Sequence, residues 1–189
     1  LMFMGVFLSG LTNGLASSVS AQIQNYGAAT YILSTDSEGV IPYSSVTDED
    51  IEELEARGLS GYAGLVIQRA AITRGDDSNT LDITYFATDH NEDGILEPAV
   101  IDSDVSVSGL NENEVILDRA FEDEGIRVGD QVIDKMSEQA LTVVAFAKNA
   151  NYGYSDIGFV SSQTYAAMRT KTEPNYRWQA QTIVTSKEI

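Results

Sequence analysis

The chain reads as an α+β protein: a mixed sheet with short helices, entered through an amino-terminal helical stalk. Three observations predict this. Short segments rich in β-branched and aromatic residues recur from Tyr31 onward, each bounded by Gly, Asp, Asn or Ser. Between them lie a few short stretches with helical spacing and start signals, and no repeat or low-complexity tract divides the chain. Finally, residues 1–11 (LMFMGVFLSGL) are almost wholly apolar, whereas the rest of the chain is polar and acidic.

Residues 1–24 are expected to be the end of a transmembrane helix and the stalk it continues into. The apolar run alone is too short, because crossing the hydrocarbon core takes about 20 residues at a rise of about 1.5 Å each. Its apolar character fades through Leu11, Leu15, Val19 and Ile23, a spacing of four that marks one face of a continuing helix. Gly5, Gly10 and Gly14 are costly in a soluble helix but usual where membrane helices pack closely. A secretory signal is the competing reading, since Val19-Ser20-Ala21 before Gln22 resembles a cleavage site, although no basic segment precedes the apolar run. A buried core helix is the third, and the bulky residues on every face of residues 1–8 count against it.

Residues 25–189 are expected to form one extracytoplasmic α+β unit. Residues 28–34 (AATYILS) read as a strand and 36–39 (DSEG) as its turn. Thr47 and Asp50 make a capping-box pattern, Asp48 and Glu49 suit the first helical turn, and Gly58 ends a helix that presents Ile51 and Leu54 to one side. Residues 62–73 and 81–87 are strand-like and joined by the polar turn RGDDSN, which predicts a hairpin. Further strands are expected at 115–118, 141–146, 158–161 and 178–185. Short helices are expected at 119–124 and 162–169, the latter offering Tyr165, Ala166 and Met168 as its apolar face.

Composition removes several function classes. With 29 acidic against 11 basic residues the formal charge is −18, which repels phosphate backbones and anionic lipid surfaces. The acidic clusters at 47–55, 89–97 and 112–124 read as solvated surface. The absence of cysteine excludes disulfides, thiolate zinc sites and a cysteine nucleophile. Neither G-x-S-x-G nor H-E-x-x-H occurs, so nothing points to catalysis.

The order of the pieces carries a resemblance. The run FLSGLTNGLASSVSAQIQNYGAATYILS, then SSVTDEDIEEL, then EVILDRAFEDEGIRVGDQV and LTVVAFAKNANYGYSDIGFVSSQTY, resembles the extracytoplasmic domain of FtsX/MacB-like ABC transporter permeases. It looks most like the haem-efflux permeases of the HrtB type. The resemblance implies a permease homodimer in the cell membrane, with four membrane helices per copy and this domain between the first two. A separate cytoplasmic ATP-binding subunit would drive it. That division suits this chain, which has no Walker A sequence. Residues 11–24 would then be the lever that passes ATP-driven motion to the outer domain. Lipoprotein export and mechanical activation of a cell-wall hydrolase are alternatives within the same class.

If haem is the cargo, Tyr152 and Tyr154 in the loop NANYGYSD are the candidate contacts, because tyrosine can serve as an axial ligand and Gly153 lets a flat ligand approach. Packing of both rings on the domain surface is the plainer expectation. Met2 and Met4 could contact cargo within the membrane dimer, and facing lipid or another helix is the plainer expectation. His90 has no second histidine or cysteine to build a zinc site. Around it, Asp89, Asn91, Asp93 and Glu97 stand at positions 1, 3, 5 and 9 of a calcium-loop pattern, with Gly94 at position 6. Val100 occupies position 12, where a bidentate Glu is required, so an acidic turn is the alternative to calcium. A secreted, calcium-stabilised binding module is the reading that joins this loop to the signal-peptide alternative.

Overall fold

The computed structural model describes residues 4–8, 21–26, 29–75, 79–91 and 93–186. Along the chain run β1 (Met4–Leu8), α1 (Ala21–Asn25), β2 (Thr30–Ser34), α2 (Asp48–Ala56), β3 (Tyr62–Thr73), β4 (Thr80–Asp89), β5 (Glu114–Asp118), β6 (Gln131–Asp134), β7 (Ala140–Ala147), β8 (Asn151–Tyr152), β9 (Ser155–Ser161), α3 (Ser162–Thr170) and β10 (Thr182–Thr185).

The long hairpin β3–β4 organises the rest. Its ten paired positions run antiparallel from Gly64↔Asp89 to Thr73↔Thr80. On the far side of β4 lies β9 in parallel, then β5, β7 and β6. Strand β6 returns to β3 at Ile72↔Asp134 and Thr73↔Ile133, so β3, β4, β9, β5, β7 and β6 close a ring. The other half of the same β3 edge pairs with β10 over Tyr62–Leu65, and β10 carries β2 and β1 outward. One edge of β3 therefore serves two neighbours. Between them, residues 68–71 have no strand partner on that edge among the described residues.

Strand periodicity sorts the side chains into two cores. Ile72, Ile83, Val115, Leu117, Val132, Leu141 and Val143 come from different ring strands and meet in one cluster, which Tyr165 and Met168 of α3 close. The opposite face, with Leu65, Phe86, Ile116 and Phe159, is covered by Leu96 and Val107 of the long connection after β4. A third cluster of Ile32, Val46, Leu54, Leu59 and Ile183 seats α2. The capping box on α2 is present in full: Thr47 Oγ1 accepts from Asp50 N, and Asp50 Oδ2 accepts from Thr47 N.

Three sequence expectations need correction. The helix expected over residues 1–24 is, at Met4–Leu8, an edge strand antiparallel to β2 in the register Met4↔Ser34. An apolar run this short does not distinguish strand from helix by periodicity, and β2 offers its backbone a ready ladder. Of the expected stalk, Ala21–Asn25 is helical. Residues 9–20, with Leu11, Leu15 and Val19, lie outside those described, as does Met2. No helix among the described residues is long and apolar enough to cross a membrane. The strand expected over 178–185 is confined to Thr182–Thr185. Just before it, the Gln181 amide accepts from Ile67 N and donates to Ile67 O, so a side chain stands in for the ladder there. The helix at 119–124 is a 3-10 helix, Arg119–Glu124, begun by Asp118 accepting from Ala120 N. Strands β6 and β8 were not anticipated.

Candidate functional site

The tyrosine loop is a hairpin. Strand β8 pairs with β9 at Asn151↔Asp156 and Tyr152↔Ser155, leaving Gly153 and Tyr154 as the turn. Gly153 has φ +64 at the first turn position, where a two-residue hairpin of type II′ needs glycine. The hairpin is held at its base: Ala150 N donates to the buried Asp118 carboxylate, Ile157 N donates to Ala150 O, and Asn25 of α1 donates from Nδ2 to Asn149 O. Its base therefore touches the helix in which the amino-terminal segment ends.

The structure brings the two candidate tyrosines onto one hairpin and gives them different surroundings. The Tyr152 ring stands edge-on to Phe86 at 5.8 Å between centroids, and burial raises the pKa of its hydroxyl above the usual tyrosine value. Phe86 is fully buried and also meets Phe159 at 5.9 Å and Tyr26 of the segment after α1 at 6.4 Å. Tyr152 is thus anchored through its ring, and its phenolate is the costlier form. Tyr154, at the tip, is wholly exposed. It is the ring of the pair that is open to a ligand or a partner surface.

The acidic loop is tied to itself. Asn91 Oδ1 accepts from Leu96 N at 2.8 Å, and its Nδ2 donates to Glu97 Oε1. The Glu97 carboxylate also accepts from Val107 N, Ser108 N and Ser108 Oγ. Asp89 Oδ1 accepts from His90 N, and Oδ2 lies 3.4 Å from His90 Nε2. Asp93 is exposed in the turn before Gly94. The structure thus joins Asn91 and Glu97 and does not gather all four expected ligands around one point. Among the described residues no group of three or more His, Asp or Glu is placed to hold a metal.

Two residues at this site escaped sequence reasoning. Phe86 looked like one more strand aromatic. Asp118 reaches both Ala120 N and Ala150 N, and its only sequence signal was an Asp at a strand end before a helical turn. Asp118 also acts on Asp156, whose pKa is raised by its own burial first and by the Asp118 charge second. A raised carboxylate pKa means the folded state disfavours the ionised form. That penalty is absent below the unfolded value of 3.8 and grows as pH rises through the folded value. Asp156→Asn is therefore expected to melt above the parent at neutral pH, with the gap closing below pH 3.8, as read by thermal denaturation across pH.

No protein-family model matches the chain, and no curated protein matches it by sequence. Its fold is that of the outer domain of MacB-type ABC transporters, a large mixed sheet with few short helices. The periplasmic region of MacB from Actinobacillus actinomycetemcomitans superposes with a TM-score of 0.57 over 90% of this chain and 77% of that one, at 7% identity. The extracellular domain of the noncanonic ABC-type transporter YknZ from Gram-positive bacteria does so with a TM-score of 0.50 over 74% and 72%, at 16% identity.

Proposed function

We propose that this chain is the extracytoplasmic domain of an ABC transporter permease of the cell membrane. It is not itself an enzyme: a separate cytoplasmic ATPase supplies the energy, and the domain acts in a permease homodimer. The observation that carries this reading is the shared fold with the outer domains of MacB and YknZ, joined to an amino-terminal segment of membrane-like apolarity. Residues 11–24 transmit motion in this reading, and the contact from Asn25 to Asn149 gives that motion a path into the tyrosine hairpin. Insertion of residues 4–8 into a bilayer and their pairing with β2 exclude each other, because an open strand edge cannot be satisfied in hydrocarbon. In the permease, β1 leaves the sheet and becomes helical. Protease treatment of intact cells should digest the domain and leave the apolar segment with the membrane fraction. A domain shielded from protease, or recovered entirely as soluble protein, would end the reading.

The cargo in this proposal is hydrophobic, with haem the candidate and Tyr154 the contact, Tyr152 holding the turn beneath it. Support comes from the exposed ring at the tip and the Cβ-free Gly153 beside it. Haemin titration followed at the Soret band should give a saturable complex, weakened about tenfold by Tyr154→Phe and less by Tyr152→Phe. Equal affinity in all three proteins would remove the tyrosines from the binding role.

A further inference from the structure

The stretch of β3 between its β10 and β6 pairings, where Ala71 O accepts from Lys135 N, opens onto a cleft that the tyrosine hairpin does not use. It has a volume of about 620 Å³, within the usual range for small-molecule sites, and lies between residues 68–71 of β3, the turn after β6 and the carboxyl-terminal half of α3. Its walls are largely apolar: Ala70, Tyr165 and Met168, with Met136 strongly exposed at the mouth. In its floor the Tyr85 hydroxyl donates to the buried Asp134 carboxylate at 2.8 Å. The other oxygen of Asp134 accepts from Ser137 N and Oγ, so this charge is already satisfied.

Three of the 11 Lys and Arg residues of this acidic chain, Arg69, Lys135 and Arg169, line the same cleft. Arg169 is held over the rings of Tyr165 and Tyr176 and pairs with Glu173 at 2.7 Å. Its Nε, removed from water, has no acceptor among the described residues. The Lys135 ammonium donates to the Thr80 hydroxyl at 3.3 Å. Cations gathered at the mouth of an apolar cleft, in a chain whose charge is −18, are placed for an acid group carried on an apolar body.

We propose that this cleft binds an amphipathic anion, a hydrophobic carboxylate or sulfonate, with its apolar body between β3 and α3 and its acid group at Arg169 and Lys135. The site is separate from the tyrosine hairpin and does not depend on the haem reading.

Fluorescence titration of the whole chain with 8-anilinonaphthalene-1-sulfonate tests it. A single saturable site is expected, displaced by laurate and not by dodecyltrimethylammonium. Binding should weaken about tenfold in Arg169→Gln and in Lys135→Glu, and stay unchanged in Tyr154→Ala. Lys135 is exposed on a turn, so its variant keeps the fold, which near-UV circular dichroism checks. Absence of a saturable site would overturn the proposal. So would equal displacement by the cationic amphiphile, or parent-like affinity in a folded Lys135→Glu chain.

Discussion

Phe86→Ala is expected to destabilise the chain by about 4 kcal/mol, in the range seen when a fully buried Phe is emptied from a core. Phe86 has no exposed surface and lies on the central strand β4, flanked by β3 and β9. Its ring is the shared partner of Tyr26, Tyr152 and Phe159, and aromatic pairs of this kind contribute about 0.5–1.5 kcal/mol beyond the area they bury. Removal therefore loosens more than a cavity wall: it frees the hairpin from below and the segment after α1 from the side. Chemical denaturation would measure the stability loss. Hydrogen exchange should show protection falling first at the paired residues Asn151, Tyr152, Ser155 and Asp156. Phe86→Leu should recover most of the stability. A chain in which Phe86→Ala costs less than about 1 kcal/mol would show that this cluster is not the support of the hairpin.

Gly158→Val is expected to cost about 3 kcal/mol, the upper end for overpacking. Gly158 sits in β9 opposite Tyr85 of β4 and Leu117 of β5, on the face that looks into the ring. A Cβ there would lie 2.6 Å from Ile83 Cδ1 and 3.3 Å from both Leu117 Cδ2 and Val115 Cγ2. One methyl at the end of Ile83 can swing away. The other two contacts belong to neighbours packed in the same core, so a branched side chain forces β9 away from β5. Gly158→Ala should cost about 1 kcal/mol, and combining it with Ile83→Val, which deletes the nearest methyl, should recover part of that. Denaturant unfolding of the single and double variants reads both values. Additive losses would show that Ile83 is not what the new methyl meets.

The elements best read from sequence are those whose signal is local. The capping box of Thr47 and Asp50 is a contact three residues long, and α2 begins where that pattern places it. The strand-like run YAGLVIQRAAIT marked the whole of β3, and the polar turn after it marked the antiparallel partner. Where a neighbour decides, reading failed. Residues 178–181 alternate like a strand, yet Gln181 turns its amide to Ile67, a residue 114 positions away. Residues 4–8 are apolar enough for either a membrane or a sheet, and pairing with β2 is a tertiary choice. The same holds at the candidate site: NANYGYSD announced a turn with two tyrosines, but not that Phe86 would take one ring and leave the other in water.

By itself the sequence determined the α+β class, the acidic surface, the long hairpin and the exclusion of thiol chemistry, because each follows from composition or from contacts between near neighbours. Only the tertiary structure decided the ring closure of β6 on β3, the inward turn of Asn91 and Glu97, and the assembly of Arg69, Lys135 and Arg169 around one cleft. These depend on residues far apart in the chain meeting across strands. Such pairings are set by the total burial and hydrogen bonding of the folded state, which no single segment encodes.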